Sequence, residues 1–316
     1  MRQGLLWLLA RLTLILSLMV LSMVPLDAFA ATTGSANHAA AQPRPHFFWK
    51  SNVRRQQPGA VAAASSNVTY HGGPVMSGTS LVFLIFWEPT GHVSASYNSL
   101  LERYFQDVGG TPLYQNNSQY NDTLFGSSEF PTNTMVIGSW VDRSAYPESP
   151  LLDSDIQNEV LKSSSVFCCV PGIRSTALIY FVFTEAGQDL CFDSSRSQCA
   201  SNAFCAYHSV GSPDPFIYAA MPYAASFNCD PGGPYPNDRD ADLTINVTSH
   251  EQMEAATDPL LNGWYDSSLN GEIGDKCAWT FGSRNSIGAD VTWNGHGYIV
   301  QREWDNRVSG CVLSGP

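Results

Sequence analysis

The residues best suited to chemistry lie together in Thr248-Ser-His-Glu-Gln-Met-Glu-Ala-Ala-Thr-Asp-Pro259. Read as a helix, this stretch stacks His250 and Glu254, four apart, on one face. Two side chains at that spacing can grip one metal ion, and Glu251, one step round, reaches a water bound to it. This is the logic of the zinc-peptidase HExxH helix, with glutamate in place of the second histidine. Asp258-Pro259 ends the helix, and the polar loop from Gly263 to Cys277 carries Asp266, Glu272 and Asp275. Glu272 lies eighteen positions past Glu254, far enough for the chain to turn back. Glu272 or Asp275 is therefore expected as the third ligand.

HExxE also occurs on solvated helix faces. Ala255 and Ala256, which give a small-residue face for close packing, and the acids gathered beside Cys277 set this copy apart. Two carboxylates and a histidine would neutralise zinc more fully than three histidines, leaving a weaker Lewis acid. The same oxygen-rich set suits calcium held as a structural clamp.

The elements that position these residues can be read from periodicity. Leu81 to Trp87 and Ala177 to Phe183 are continuous apolar, β-rich runs, expected as buried strands. Met135 to Val141 reads as another strand. Ser96 to Val108 has apolar residues at 97, 100, 101, 104, 105 and 108, which is helical spacing. Asp153 to Lys162 and Leu243 to Ala256 read as helices, and short strands are expected around Val291 and Tyr298 to Gln301. Strands alternating with helices indicate a single α/β (α+β) domain with a mixed sheet, a site helix and an irregular, disulfide-braced C-terminal half.

The first thirty residues read as a signal peptide: Arg2 and Arg11, an apolar run from Leu12 to Val24, then Ala28-Phe29-Ala30 before the cut. That run is too short to span a bilayer, which takes about 20 residues, so no membrane span is expected in the mature chain. Residues 31–67, rich in Ala, Ser, Gln, Pro and Asn, read as a linker or propeptide. His46-Phe47-Phe48-Trp49 interrupts it as a cluster able to dock on the domain or a partner. Residues 68–316 form the expected domain. The whole chain's net charge of −12 and its 14% charged residues leave no electrostatic footprint for nucleic acid. Eight cysteines in an exported chain read as disulfides, with roughly a hundred pairings open.

Several motifs occur in a fixed order: Tyr70-His-Gly-Gly-Pro-Val-Met-Ser-Gly78, Gly110-Thr-Pro-Leu-Tyr114 with Tyr120, Cys205-Ala-Tyr-His208, His250-Glu-x-x-Glu254, and Glu272-Ile-Gly-Asp275-x-Cys277. In this the chain resembles the EXORDIUM-like family, also called phosphate-induced protein 1, from Val68 to Cys311. The resemblance implies an extracellular or cell-wall-associated location and no settled activity. It departs at Thr257-Asp258-Pro259, where plant members usually have Thr-Asn-Pro, and Asp258 adds a further candidate ligand. It also brings forward His208 as a ligand from elsewhere in the fold, against the plainer reading of a hydrogen-bonded histidine beside a disulfide.

The other histidines read as structural, His71 in a Gly-Gly-Pro turn and His296 at a hairpin tip. Ser/His/Asp catalysis lacks a Gly-x-Ser-x-Gly elbow. Asn67, Asn116, Asn121 and Asn246 head glycosylation sequons.

The expectation is a secreted, zincin-like, metal-dependent hydrolase of the peptidase type. His250, Glu254 and Glu272 or Asp275 would hold zinc, with His208 and Asp258 as outer candidates. Glu251 would be the general base, and the substrate an extracellular peptide or cell-wall polymer. The alternative is a non-catalytic matrix or wall protein that uses the same acids for a structural metal such as calcium.

Overall fold

The structure, a computed structural model, describes residues 45–54, 66–124, 129–166, 175–212, 215–267 and 271–315. The expected signal peptide, most of the expected linker and the Cys168-Cys169 pair lie outside the described residues.

Six strands build the main sheet: β1 (His46–Trp49), β2 (Gly78–Trp87), β3 (Pro131–Asp142), β4 (Leu178–Thr184), β5 (Phe204–Gly211) and β6 (Phe216–Met221). Their spatial order is β1-β5-β6-β4-β2-β3. The pairs β3/β2, β2/β4 and β4/β6 are parallel, while β6/β5 and β5/β1 are antiparallel. The expected mixed sheet is present. Leu81–Trp87 sits mid-sheet between two parallel neighbours, which is why it reads as one apolar run instead of alternating. At the far edge β3 does alternate, leaving Met135, Ile137 and Val141 exposed.

Three long helices cover the sheet: α1 (Tyr97–Val108), α2 (Asp153–Val166) and α3 (Arg239–Thr257). Each contains the helix expected from periodicity or overlaps it almost wholly. The two faces can be told apart from consecutive residues of β5. Tyr207 donates to Asp153 at the start of α2, 2.7 Å, whereas His208 meets Glu251 of α3, 3.2 Å. Successive strand residues point to opposite faces, so α2 lies on one side and α3 on the other. α1 joins α3 there: Tyr97 donates to Thr244 at 2.9 Å and Tyr104 to Gln252 at 2.8 Å.

Helix α3 starts at Arg239, four residues ahead of the expected Leu243, because Asp238 caps it by accepting from the Ala241 N–H at 3.1 Å. Every residue from Ala241 to Thr257 is buried. Helices buried all round are normally apolar, yet this one contains Asp242, Asn246, Thr248, Ser249, His250, Glu251 and Glu254.

Beyond α3 the chain is irregular, with a short helix α4 (Ile273–Cys277) and strands β7 (Glu303–Asp305) and β8 (Gly310–Val312). Disulfide Cys277–Cys311 braces this part, while Cys191–Cys199 and Cys205–Cys229 brace the stretch ahead of α3. His296 sits just past the Asn294-Gly295 turn, where both residues have positive φ, and its Nδ1 is 2.6 Å from Asp107. His71 stacks on Tyr265 at 3.6 Å in its turn. Two sequons are inaccessible: Asn116 and Asn246 have no exposed surface.

The expected domain boundary at Val68 needs correction. Residues 46–49 form an edge strand of the main sheet, so the folded domain takes in part of the expected linker. The low-period composition around this strand hid a four-residue segment whose partner lies some 160 positions away.

Candidate functional site

Helix α3 and its C-cap present three acids: Glu251 and Glu254 on one side of the helix, and Asp258 just past its end. β5 brings His208 to them from the sheet. α4, directed back across α3, adds Glu272 at its N-cap and Asp275 one turn in, whose carboxylate accepts from the Glu272 N–H at 3.4 Å. β7 supplies Glu303, and β1 supplies His46. All the residues singled out in the sequence for the site, His208, His250, Glu251, Glu254, Asp258, Glu272 and Asp275, are therefore gathered in one place.

The contacts define two overlapping groups that share Glu254: His208, Glu254 and Glu272, and His250, Glu254 and Asp275. In the first, His208 Nδ1 is 3.2 Å from Glu251 Oε2 and 4.0 Å from Glu254 Oε2, and His208 Nε2 is 3.8 Å from Glu272 Oε2. In the second, His250 Nε2 is 3.2 Å from Glu254 Oε1 and 3.9 Å from Asp275 Oδ1. The Asp275 N–H donates to Glu254 Oε1 at 2.7 Å, fixing that carboxylate. His46 Nδ1 is 3.2 Å from Glu272 Oε2.

Hydrogen-bond partners separate the two histidines. Gln301 Oε1 accepts from the Trp279 N–H at 3.2 Å, which turns its amide nitrogen toward His250 Nδ1. Nδ1 of His250 then accepts, so a neutral ring carries its proton on Nε2, which lies 3.2 Å from Glu254 Oε1. His208 is held the other way. With its Nδ1–H given to Glu251, its Nε2 lone pair faces Glu272 and has no hydrogen-bond partner. Both Glu272 oxygens, Glu251 Oε1, Asp258 Oδ2 and both Glu303 oxygens are likewise buried without a partner.

The electrostatics follow from burial. His208, His250, Glu251, Glu254 and Glu272 have fully buried side chains, and Asp258 and Glu303 are also sealed from solvent. Burial, followed for Glu272 and Glu303 by the charge of Glu254, pushes Glu272 and Glu303 well above the ordinary carboxylate range. Glu251 is raised well above it too, by burial and against the pull of His250. Burial lifts Asp258 to about 6, against hydrogen bonding from Gly263. The nearby Lys276 is drawn to Asp266, 3.1 Å away. So many acids in a dry interior must keep protons or share a cation. An oxygen-rich, imidazole-containing set with unfilled lone pairs suits a divalent cation.

Two members escape sequence reasoning. Glu303 is a lone acid in a three-residue strand, with no spacing to flag it. His46 belongs to a segment that composition marks as unfolded. Its aromatic neighbours were the available signal, since Phe47-Phe48-Trp49 is out of place in a solvated linker.

No protein-family model matches the chain, and no solved structure matches it. Among curated proteins, Protein EXORDIUM-like 5 of Arabidopsis thaliana is 26% identical over 299 residues, covering 80% of this chain and 79% of that protein. A likeness spread over most of both chains agrees with the resemblance to the EXORDIUM-like family that the ordered motifs from Tyr70 to Cys277 carry.

Proposed function

We propose that the chain is a secreted, metal-dependent hydrolase of the peptidase type, zincin-like in placing its site on one buried helix beside a sheet edge. The observation that supports this most is the meeting of His208 Nε2 with the unpartnered oxygens of Glu272 beside Glu254. His208, Glu254 and Glu272 would hold zinc, with Asp258 at the margin. A cation there would supply a Lewis acid for water and for a substrate carbonyl.

In this reading His250 is a positioning residue: its Nε2 lies against Glu254 at 3.2 Å, and Asp275 steers the same carboxylate through its backbone N–H. That alters the expectation of His250 as a ligand. Glu251 has two tasks. Its Oε2 fixes the tautomer of His208, and its Oε1, with no other partner, takes the proton of the attacking water. Three disulfides fit an oxidising compartment, and among the described residues no helix is long and apolar enough to cross a membrane.

Native secreted protein should carry stoichiometric zinc. His208→Ala and Glu272→Ala should lose it, while Glu251→Gln keeps the fold, binds zinc about 10–100-fold more weakly, and at saturating zinc hydrolyses peptide about 10²–10⁴-fold more slowly. Full activity in Glu251→Gln would refute the assignment of the base. A second reading, a non-catalytic wall or matrix protein with a structural metal, draws on the complete burial of the cluster. Stoichiometric calcium, with no peptide cleaved under any divalent metal, would decide for it.

A further inference from the structure

Strand β1 is the element that closes the site. It lies antiparallel on the outer edge of β5, with His46 opposite His208, Phe47 opposite Tyr207 and Phe48 opposite Ala206. Alternation sends residues 46 and 48 toward α3 and residue 47 the other way. Phe47 accordingly sits among Phe192, Phe204 and Tyr207 at 5.2–5.4 Å.

On the site side, His46 reaches Glu272 at 3.2 Å and joins Asp258 and Glu272 as a third ligand-bearing group. Phe48 fills an apolar slot, its ring 4.1 Å from that of His250 and 4.8 Å from that of Trp279. Main-chain contacts anchor the far end: the Trp279 indole N–H donates to the Trp49 carbonyl at 2.9 Å, and the Lys50 N–H to the Ala203 carbonyl at 3.0 Å.

These are the features by which a sheet edge takes an extended peptide. Backbone bonds give affinity whatever the sequence, and alternate side chains enter pockets that read it. A strand retained for packing alone would set an apolar side chain over this region. β1 instead inserts an imidazole among the acids that hold the candidate cation.

We infer that residues 46–49 are a self-supplied occupant of a peptide groove: β1 fills the place along β5 where an extended substrate peptide lies, with His46 stoppering the cation cluster and Phe48 in the aromatic subsite on His250 and Trp279. The inference rests on the hydrolase reading and names its substrate class, an extended peptide with an aromatic residue two positions from the one at the cluster. The chain as folded is then latent, and displacement of β1 opens it.

The test uses the full secreted chain with a specific protease sequence inserted between residues 54 and 66 and cut after folding. A fluorescent peptide of residues 43–52 is offered with zinc, and uptake is followed by anisotropy and native mass. The cut protein should exchange its own strand for the labelled peptide, and the uncut chain should take up none. A Phe48→Ala peptide should bind about tenfold or more weakly, as for loss of a buried aromatic anchor. A cut chain carrying Phe48→Ala in its own strand should exchange faster. The inference is overturned if neither cut chain takes up peptide, or if the cooperative melt vanishes once the strand leaves; either outcome makes β1 a permanent member of the sheet. Exchange without hydrolysis of any peptide supports the groove while removing the hydrolase reading, so the two fail separately.

Discussion

Gly274 decides how closely α4 can approach α3. A Cβ at this position would lie 2.7 Å from His250 Nδ1 and 3.0 Å from Glu254 Oε1, closer than a methyl group tolerates. Gly274→Ala should therefore push α4 outward, carrying Glu272 and Asp275 with it. The expected cost is about 1–3 kcal/mol, the usual range for overpacking a buried contact, together with weakened zinc binding; thermal melts and zinc titration would measure the two. Unchanged zinc affinity would mean that Glu272 is no ligand. At this scale the sequence was informative where spacing was local. His250, Glu251 and Glu254 share one helix and Asp258 caps its end, so residue intervals alone brought them together. The geometry that divides His250 from His208 was out of reach, because it depends on Gln301, some fifty positions on, and on which ring nitrogen that amide faces.

Among the elements, α3 and α4 were unequally legible. Periodicity found the long strands and helices because each buries a continuous run or one face. α3 was found through its motif more than through amphipathicity, since its polar residues are spread round the whole helix. α4 and β7 are too short to have a period, and tertiary bonds hold them in place. Chief among these is Cys277–Cys311, which ties the end of α4 to β8, the partner of β7. The bridge closes a loop spanning 34 positions, so removing it with Cys277→Ser/Cys311→Ser should cost about 4 kcal/mol on the chain-entropy estimate. The loss should centre on the site: denaturant melts would give the cost, and Glu272-dependent zinc binding should weaken with it. A double variant with unaltered zinc affinity would show that packing alone positions α4.

For the molecule as a whole, the sealed acids make stability a function of proton and cation together. Asp258 is raised to about 6, Asp242 to about 6 and Glu159 to about 7, in each case chiefly by burial, and burial also holds Glu251, Glu272 and Glu303 well above the ordinary carboxylate range. A carboxyl raised in the folded state keeps a proton that the unfolded chain has released. Its stabilising effect is complete below the unfolded value near 4 and is lost as pH rises through the folded one. Asp142, held down to about 2 by Lys162 and Ser144 despite its burial, contributes its stability throughout that window and loses it only as pH falls toward 2. Cation-stripped protein should thus melt at a falling temperature as pH is raised from 4.5 to 8. Zinc should flatten or reverse the slope, because it binds the deprotonated ligands. A melting temperature that rises with pH in chelator would contradict the buried acidic centre. The same sealing has a consequence for manufacture. Asn246 heads a sequon yet lies in the middle of α3 with no exposed surface, and a host that attaches sugars during export meets the chain before α3 is covered. A glycan there cannot be enclosed by the finished fold, so sugar at Asn246 and a native molecule exclude one another. Production is best suited to a host whose export route leaves asparagine bare.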